Sequence, residues 1–210
     1  MISSNKFFEV DCEVGRGESI KRALQLFSVL SPENPTIVET GTARGKFGGG
    51  YVGDGWATVA FGWYAKKFGG TVHTVDIDDE CINECMRLTA DFSDHICYHV
   101  QDSVEFLNNF DGNIDFLYLD SFDCGSDPEL NIQAADHMLN EYKASKQKLT
   151  KTSLILLDDI GVGFNTGKGV KLVPQLLRDG WYMIYHDTTR DVNQALFCRH
   201  EIMRTIEELI

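Results

Sequence analysis

The chain has 210 residues, of which 43% are hydrophobic and 24% charged, a composition that allows a substantial core. Its formal net charge is −13, so we expect no nucleic-acid partner, because affinity for a phosphate backbone depends on clustered Lys and Arg. We also expect a cytoplasmic protein with no membrane partner. No apolar run approaches membrane-spanning length, and residues 1–6 lack the apolar core of a signal peptide.

The predicted elements alternate between helices and strands. A helix is predicted over residues 17–31, where apolar side chains recur with helical spacing, and Pro32 and Pro35 separate it from the first strand. A glycine-rich insert at 46–55 delays the second helix. The predicted strands are 36–39, 72–76, 97–100, 114–120, 154–159, 181–185 and 194–198. The helices between them are predicted at 56–68, 79–91, 103–108, 128–146 and 169–178.

The strand pattern predicts the fold class. Short apolar runs without clean alternation are typical of strands buried on both faces, which means a parallel sheet between helices. The last two runs indicate an antiparallel pair that closes the sheet. We therefore predict one α/β domain over residues 1–210. Its doubly wound, mostly parallel sheet has about seven strands and an antiparallel C-terminal pair.

Acidic residues stand at the carboxyl ends of four predicted strands: Glu39, Asp76, Asp120 and the pair Asp158 and Asp159. In such sheets ligands bind beyond the carboxyl ends of the strands. We therefore expect these carboxylates along one rim. Their mutual repulsion requires a cationic or hydroxyl-rich ligand.

Three segments in order suit a nucleoside. The turn from Glu39 to Gly45 has the pattern E-x-G-x-x-x-G, whose glycines let the backbone approach a ligand closely. It differs from the G-x-G-x-x-G dinucleotide pattern. Asp76 ends the second strand, where a carboxylate accepts hydrogen bonds from ribose hydroxyls. Asp102 and Ser103 follow the third strand and either contact an adenine or cap the next helix.

This succession, from about residue 36 to residue 198, resembles class I S-adenosylmethionine-dependent methyltransferases, which have a Rossmann-like sheet. The resemblance implies S-adenosylmethionine as the cofactor. It places the methionine portion at the first turn, the ribose at the second strand end and the adenine after the third. The implied cofactor-binding residues are Glu39, Gly41, Thr42, Gly45, Asp76, Ile77, Asp102, Ser103 and Asp120.

Asp120, Asp158 and Asp159 form a second group, at two adjacent strand ends. Three carboxylates suit a hard divalent metal ion, and we predict Mg²⁺. The pattern resembles metal-dependent small-molecule O-methyltransferases. The glycine-rich insert and the Leu-Leu-Asp-Asp at 156–159 resemble the branch with macrocin-type sugar methyltransferases and cephalosporin-hydroxylase-like proteins. Without metal, Asp159 would cap the following loop and Asp120 would contact the cofactor.

The catalytic base departs from the catechol-type pattern. Those enzymes have a lysine three residues after the strand-four aspartate, and this chain has Asp123 there. Asp120 and Asp123 are the predicted catalytic residues, and His186 is a further candidate proton acceptor. The orientation of His137 on its helix stays open. Phe47 and Tyr51 are predicted to line a lid.

The prediction is an S-adenosylmethionine-dependent O-methyltransferase that acts on a hydroxyl of a small molecule or sugar. Two alternatives stay open: a nucleotide-dependent oxidoreductase, against which the missing G-x-G-x-x-G counts, and a non-catalytic domain that keeps the ligand. The sequence does not decide between a monomer and a homo-oligomer.

Overall fold

The computed structural model describes residues 17–45, 56–161, 166–188 and 193–207. The glycine-rich insert at 46–55, with the predicted lid residues Phe47 and Tyr51, lies outside the described residues. None of the described helices is long and apolar enough to cross a membrane.

The described strands form one seven-stranded sheet in the order β3-β2-β1-β4-β5-β7-β6. The strands from β3 to β5 in this order are parallel to their neighbours, and β7 is antiparallel to both β5 and β6. This confirms the predicted α/β class and the antiparallel C-terminal pair. The strands are β1 (Thr36–Thr40), β2 (Thr71–Asp76), β3 (Ile96–Val100), β4 (Ile114–Leu119), β5 (Leu149–Leu157), β6 (Trp181–Asp187) and β7 (Gln194–Arg199).

Helices connect the strands, and three of them begin at an aspartate whose carboxylate accepts a backbone N–H of the first turn. These caps are Asp78, Asp102 and Asp127, and each satisfies a helix donor that would otherwise lack a partner. The helices are α1 (Gly17–Leu30), α2 (Ala57–Phe68), α3 (Asp79–Leu88), α4 (Ser103–Asn109), α5 (Pro128–Ser145), α6 (Gly169–Arg178) and α7 (His200–Glu207).

The observed boundaries lie within two residues of the prediction except at the end of α3 and the start of β5, and one helix was not predicted. Helix α3 ends at Leu88, where the Thr89 N–H and hydroxyl both donate to the Cys85 carbonyl, and a 3-10 helix (Ala90–His95) follows. Strand β5 begins at Leu149, before its apolar run, and α7 was not predicted.

The sheet is buried on both faces, as the apolar runs predicted. On β4, Phe116 and Tyr118 pack into one core cluster, and the alternating Leu117 and Leu119 pack into the other. Helix α1 belongs to the first cluster. Its Phe27 ring lies 5.1 Å from the Phe116 ring, measured between centroids.

The packing of α1 gives a test of whether the helix and the sheet fold as one unit, which the single-domain prediction requires. Leu24 is fully buried in the first cluster, so Leu24→Ala should lower the free energy of unfolding by about 2–5 kcal/mol. The matched control is Leu177→Ala, at a side chain 55% exposed, where the change should stay within about 0.5 kcal/mol. Urea unfolding measures both. Equal stability of the two variants would mean that α1 unfolds independently of the sheet.

Candidate functional site

The carboxyl ends of β1, β2 and β4 meet at one rim. Backbone hydrogen bonds continue past the strands there: Gly41 N–H donates to the Val75 carbonyl, and Asp120 N–H donates to the Thr40 carbonyl. A crevice of about 1080 Å³ opens at this rim. The predicted site residues that line it are Glu39, Gly41, Thr42, Gly45, Asp76, Ile77, Asp102, Ser103, Asp120, Asp123 and Asp159.

Glu39 is a buried carboxylate that accepts hydrogen bonds from threonine hydroxyls. Its Oε2 accepts hydrogen bonds from the hydroxyls of Thr58, at 2.6 Å, and Thr74, at 2.7 Å. Thr58 Oγ1 in turn accepts the Ala43 N–H at 2.9 Å. Glu39 therefore links β1, β2, α2 and the glycine turn, so it fixes the shape of the crevice floor.

The glycine turn passes very close to the end of β4. Gly41 has φ of 77°, and a Cβ at this position would lie 2.7 Å from the Asp120 carbonyl oxygen. Only glycine meets both conditions without strain. Gly45 also has positive φ, at 85°. The E-x-G-x-x-x-G pattern thus reflects two positions where the backbone needs glycine.

Asp76 and Ile77 line the crevice at the end of β2. The Asp76 carboxylate accepts the Thr42 N–H at 3.3 Å and the Asp78 N–H at 3.0 Å. These two bonds fix the orientation of the carboxylate. The Ile77 side chain is 75% exposed, so it offers an apolar surface at the rim.

Asp102 and Ser103 line the crevice and also begin α4. Asp102 Oδ1 accepts the Glu105 N–H at 2.9 Å, which is the helix cap that sequence analysis offered as the alternative. Ser103 Oγ lies 2.9 Å from His137 Nε2. Capping and lining the crevice are compatible here, because one carboxylate oxygen accounts for the cap.

His137 faces the crevice from α5, an orientation that periodicity alone left open. Its Nε2 lies 3.5 Å from Oε1 of Glu141, a fully buried carboxylate that also accepts the Ser121 hydroxyl at 2.5 Å. Its hydrogen bond to Glu141 raises the pKa of His137, although burial acts in the opposite direction.

Asp120, Asp158 and Asp159 lie together as predicted, with one oxygen of each within 4.8 Å of the others. They face different surroundings. Asp120 and Asp159 line the crevice, whereas Asp158 is fully buried behind them. Asp158 Oδ2 accepts the Tyr118 hydroxyl at 2.5 Å and the Gln194 amide at 2.9 Å, and its Oδ1 accepts the Asp159 N–H at 2.7 Å.

Lys168 is the residue that sequence analysis missed. Its side chain is fully buried, and its ammonium lies 3.0 Å from Asp120 Oδ1 and 3.3 Å from Asp159 Oδ2. Burial alone would lower the pKa of Lys168, but the carboxylates of Asp120, Asp159 and Asp158 raise it above its ordinary value. Its charge therefore offsets part of the carboxylate repulsion that the sequence predicted.

The two further candidate bases occupy different places. Asp123 lies at the crevice, and both of its oxygens accept hydrogen bonds from Arg44 Nη2, at 2.7 and 2.8 Å. His186 lies on β6, the edge strand, and is not among the crevice-lining residues described. As candidate proton acceptors for a ligand in the crevice, Asp120 and Asp123 are therefore better placed than His186.

Comparisons with known proteins agree with this geometry. The sequence profile of a family described as a methyltransferase domain matches residues 51–160. No curated protein matches the chain.

Solved structures with a similar fold cover most of this chain at low identity. SMU.1697c from Streptococcus mutans, in complex with S-adenosylhomocysteine, has a TM-score of 0.59 at 8% identity over 85% of this chain and 96% of its own. The S-adenosylhomocysteine-bound methyltransferase PaMTH1 of Podospora anserina has a TM-score of 0.58 at 12% identity, over 85% of this chain and 78% of its own. An rRNA methylase from Streptococcus thermophilus has a TM-score of 0.55 at 8% identity, over 85% of this chain and 93% of its own. At such identities the likeness establishes the fold.

The His137–Glu141 pair should make stability depend on pH. Because the folded-state pKa of His137 is raised, its charged form stabilises the fold fully below about pH 6.5, the ordinary histidine value. This contribution is lost as pH rises through the raised pKa. His137→Gln should therefore destabilise the protein more at about pH 5.5 than at about pH 8, as measured by urea unfolding. The same loss at both pH values would contradict a charged His137.

Proposed function

Because the chain belongs to the methyltransferase-domain family, of the class I S-adenosylmethionine-dependent type, we propose that it methylates a hydroxyl oxygen of a small molecule or sugar. One observation carries this proposal. Carboxylates from three strand ends line a single crevice, with the glycine turn at its floor and Asp120 at its far side.

The cofactor would lie along the ends of β1, β2 and β3. The methionine portion fits the glycine turn, where Gly41 leaves room for a close approach. The Asp76 carboxylate, oriented by two backbone N–H groups, suits the ribose hydroxyls. We assign the methionine portion to Glu39, Gly41, Thr42 and Gly45, the ribose to Asp76, and the adenine to Ile77, Asp102 and Ser103.

The acceptor would lie at the other side of the crevice, near Asp120. A lone pair of the acceptor oxygen forms the new bond to the methyl carbon, the carbon–sulfur bond breaks, and its electrons remain on sulfur. Alignment of the two reactants supplies much of the rate. The hydroxyl proton needs an acceptor, and we assign it to Asp120, which lines the crevice. Asp123 is the second candidate, and both carboxylates are paired with a cation, Asp120 with Lys168 and Asp123 with Arg44.

A divalent metal ion, predicted from the sequence, has no step in this mechanism. The three carboxylates are close enough to share an ion, but two of them already contact the Lys168 ammonium and the third is buried behind them. The residues therefore fit a divalent ion poorly.

The branch and the acceptor class are also proposals. The Leu-Leu-Asp-Asp at 156–159 and the glycine-rich insert support the macrocin-type branch. The net charge of −13 favours a small acceptor over RNA. The rRNA methylase named above shares the fold at 8% identity, so the acceptor test below includes RNA.

Asp76 provides the sharpest test of the cofactor assignment. Asp76→Ala removes a charged acceptor for the ribose hydroxyls and should weaken S-adenosylhomocysteine binding about 10–100-fold. Asp79→Ala is the matched control, since this exposed aspartate lies three residues away and outside the crevice. Isothermal titration calorimetry measures both. An unchanged affinity in Asp76→Ala would show that the ribose lies elsewhere.

Methyl transfer should occur from labelled S-adenosylmethionine to hydroxylated small molecules. The assay offers separate panels of phenols, sugars, amines, structured RNA and protein, and mass spectrometry locates the added methyl group. We expect an ether oxygen in a phenol or sugar product. Label on nitrogen or in RNA alone would contradict the hydroxyl assignment. Cofactor binding without transfer to any panel would favour a non-catalytic domain.

A further inference from the structure

We propose that Lys168 is the resident cation of the carboxylate cluster Asp120, Asp158 and Asp159, and that methyl transfer therefore requires no divalent metal ion. Lys168 acts as a positioning residue that holds Asp120 and Asp159 at the crevice. The place of the acceptor beside Asp120 rests on the proposed function, whereas the role of Lys168 as counter-ion does not.

The contacts of the ammonium carry the first step. Lys168 Nζ lies 3.0 Å from Asp120 Oδ1, 3.3 Å from Asp159 Oδ2 and 3.4 Å from the Asp120 carbonyl oxygen. An ammonium group has three N–H donors and no acceptor. These three oxygens therefore account for its whole donor capacity, and its side chain is fully buried.

The backbone around Lys168 holds the ammonium in this place. Lys168 N–H donates to the Asp159 carbonyl at 2.8 Å. Glycines flank Lys168 on both sides, and each packs against the segment that follows β5. A Cβ on Gly167 would collide with the Asp159 carbonyl oxygen, and one on Gly169 would lie 2.6 Å from Ile160 Cβ. The backbone on both sides of Lys168 is thus packed directly against Asp159 and Ile160, which fixes the position from which the Lys168 side chain reaches the carboxylates.

Asp158 provides the second step, because it is fully buried behind the other two carboxylates and both of its oxygens already accept hydrogen bonds. Tyr118 and Gln194 donate to one of its oxygens and the Asp159 N–H donates to the other. An ion reaching Asp120 and Asp159 from the crevice would find two carboxylates and a neighbouring ammonium. Like charges a few ångströms apart repel strongly in a buried site.

The wild-type protein gives the direct test. We expect less than molar-equivalent Mg²⁺, Mn²⁺ or Zn²⁺ in the purified protein by mass spectrometry of metals. The melting temperature should change by about 1 °C or less when Mg²⁺ or a chelator is added, and the transfer rate should be unchanged in chelator. A stoichiometric metal ion, or loss of transfer in chelator with recovery in Mg²⁺, would overturn the proposal.

The variant test exchanges one cation for another. Lys168→Met leaves the carboxylates without their counter-ion, so the melting temperature should fall by about 10 °C. Mg²⁺ or Mn²⁺ should then restore part of the loss, an effect absent in the wild type. Lys171→Met is the matched control, because this lysine pairs with Asp136 at the surface and should leave the melting temperature nearly unchanged.

Several outcomes separate the hypotheses. A Lys168→Met protein that is as stable as Lys171→Met, with no new response to Mg²⁺, would contradict the counter-ion role. If Lys168→Met does not fold, the double variant Lys168→Met/Asp159→Asn should recover folding, and the wild-type metal measurements decide the rest. Thermal and metal measurements need no acceptor, so a failure of the hydroxyl assignment would leave them valid.

Discussion

The crowding of carboxylates at one rim is the constraint on which the rest of this structure depends. A parallel sheet brings the ends of β1, β2, β4 and β5 to the same edge, and this chain places an acidic residue at or just beyond each of them. Every one of these groups needs donors, because an uncompensated buried carboxylate is costly. Much of the surrounding architecture consists of those donors.

The groups that donate to these carboxylates differ between the two sides of the crevice. On the side of the glycine turn the described donors include threonine hydroxyls at Glu39 and backbone N–H groups at Asp76. On the other side a full positive charge, Lys168, lies behind Asp120 and Asp159. The carboxylates at the two sides of the crevice are therefore compensated by different kinds of donor.

The sequence predicted the sheet well, because its signal is local. The run 116–119 has no polar alternation because Phe116 and Leu117 are buried on opposite faces, and strand ends follow from where such a run stops. The glycine positions in the first turn were also predicted from the local sequence pattern. Boundaries were less so: β5 begins in the polar stretch from Leu149, which pairs with Ile114 without an apolar pattern of its own. The predicted boundary reflected hydrophobicity, whereas the strand reflects pairing.

Partners across the fold were beyond sequence analysis. Lys168 is separated from Asp159 in the sequence, and nothing in local periodicity shows that its ammonium reaches Asp120. The sequence does contain a signal, because three neighbouring carboxylates need a cation and the chain has a lysine between two glycines. His137 shows the same limit. Helical spacing could not decide which way His137 faces. Its partner Glu141 lies one turn further along α5, and the contacts of this pair with Ser103 and Ser121 are made between residues distant in the sequence.

The contact between Gly41 and Asp120 sets the spacing between the glycine turn and the end of β4. The missing side chain lets the turn after β1 pack directly against the Asp120 backbone, so that the glycine turn and the end of β4 border the crevice side by side. Any side chain at position 41 would push these two segments apart. The fold holds them together, because Gly41 is hydrogen-bonded to β2 and Asp120 to β1.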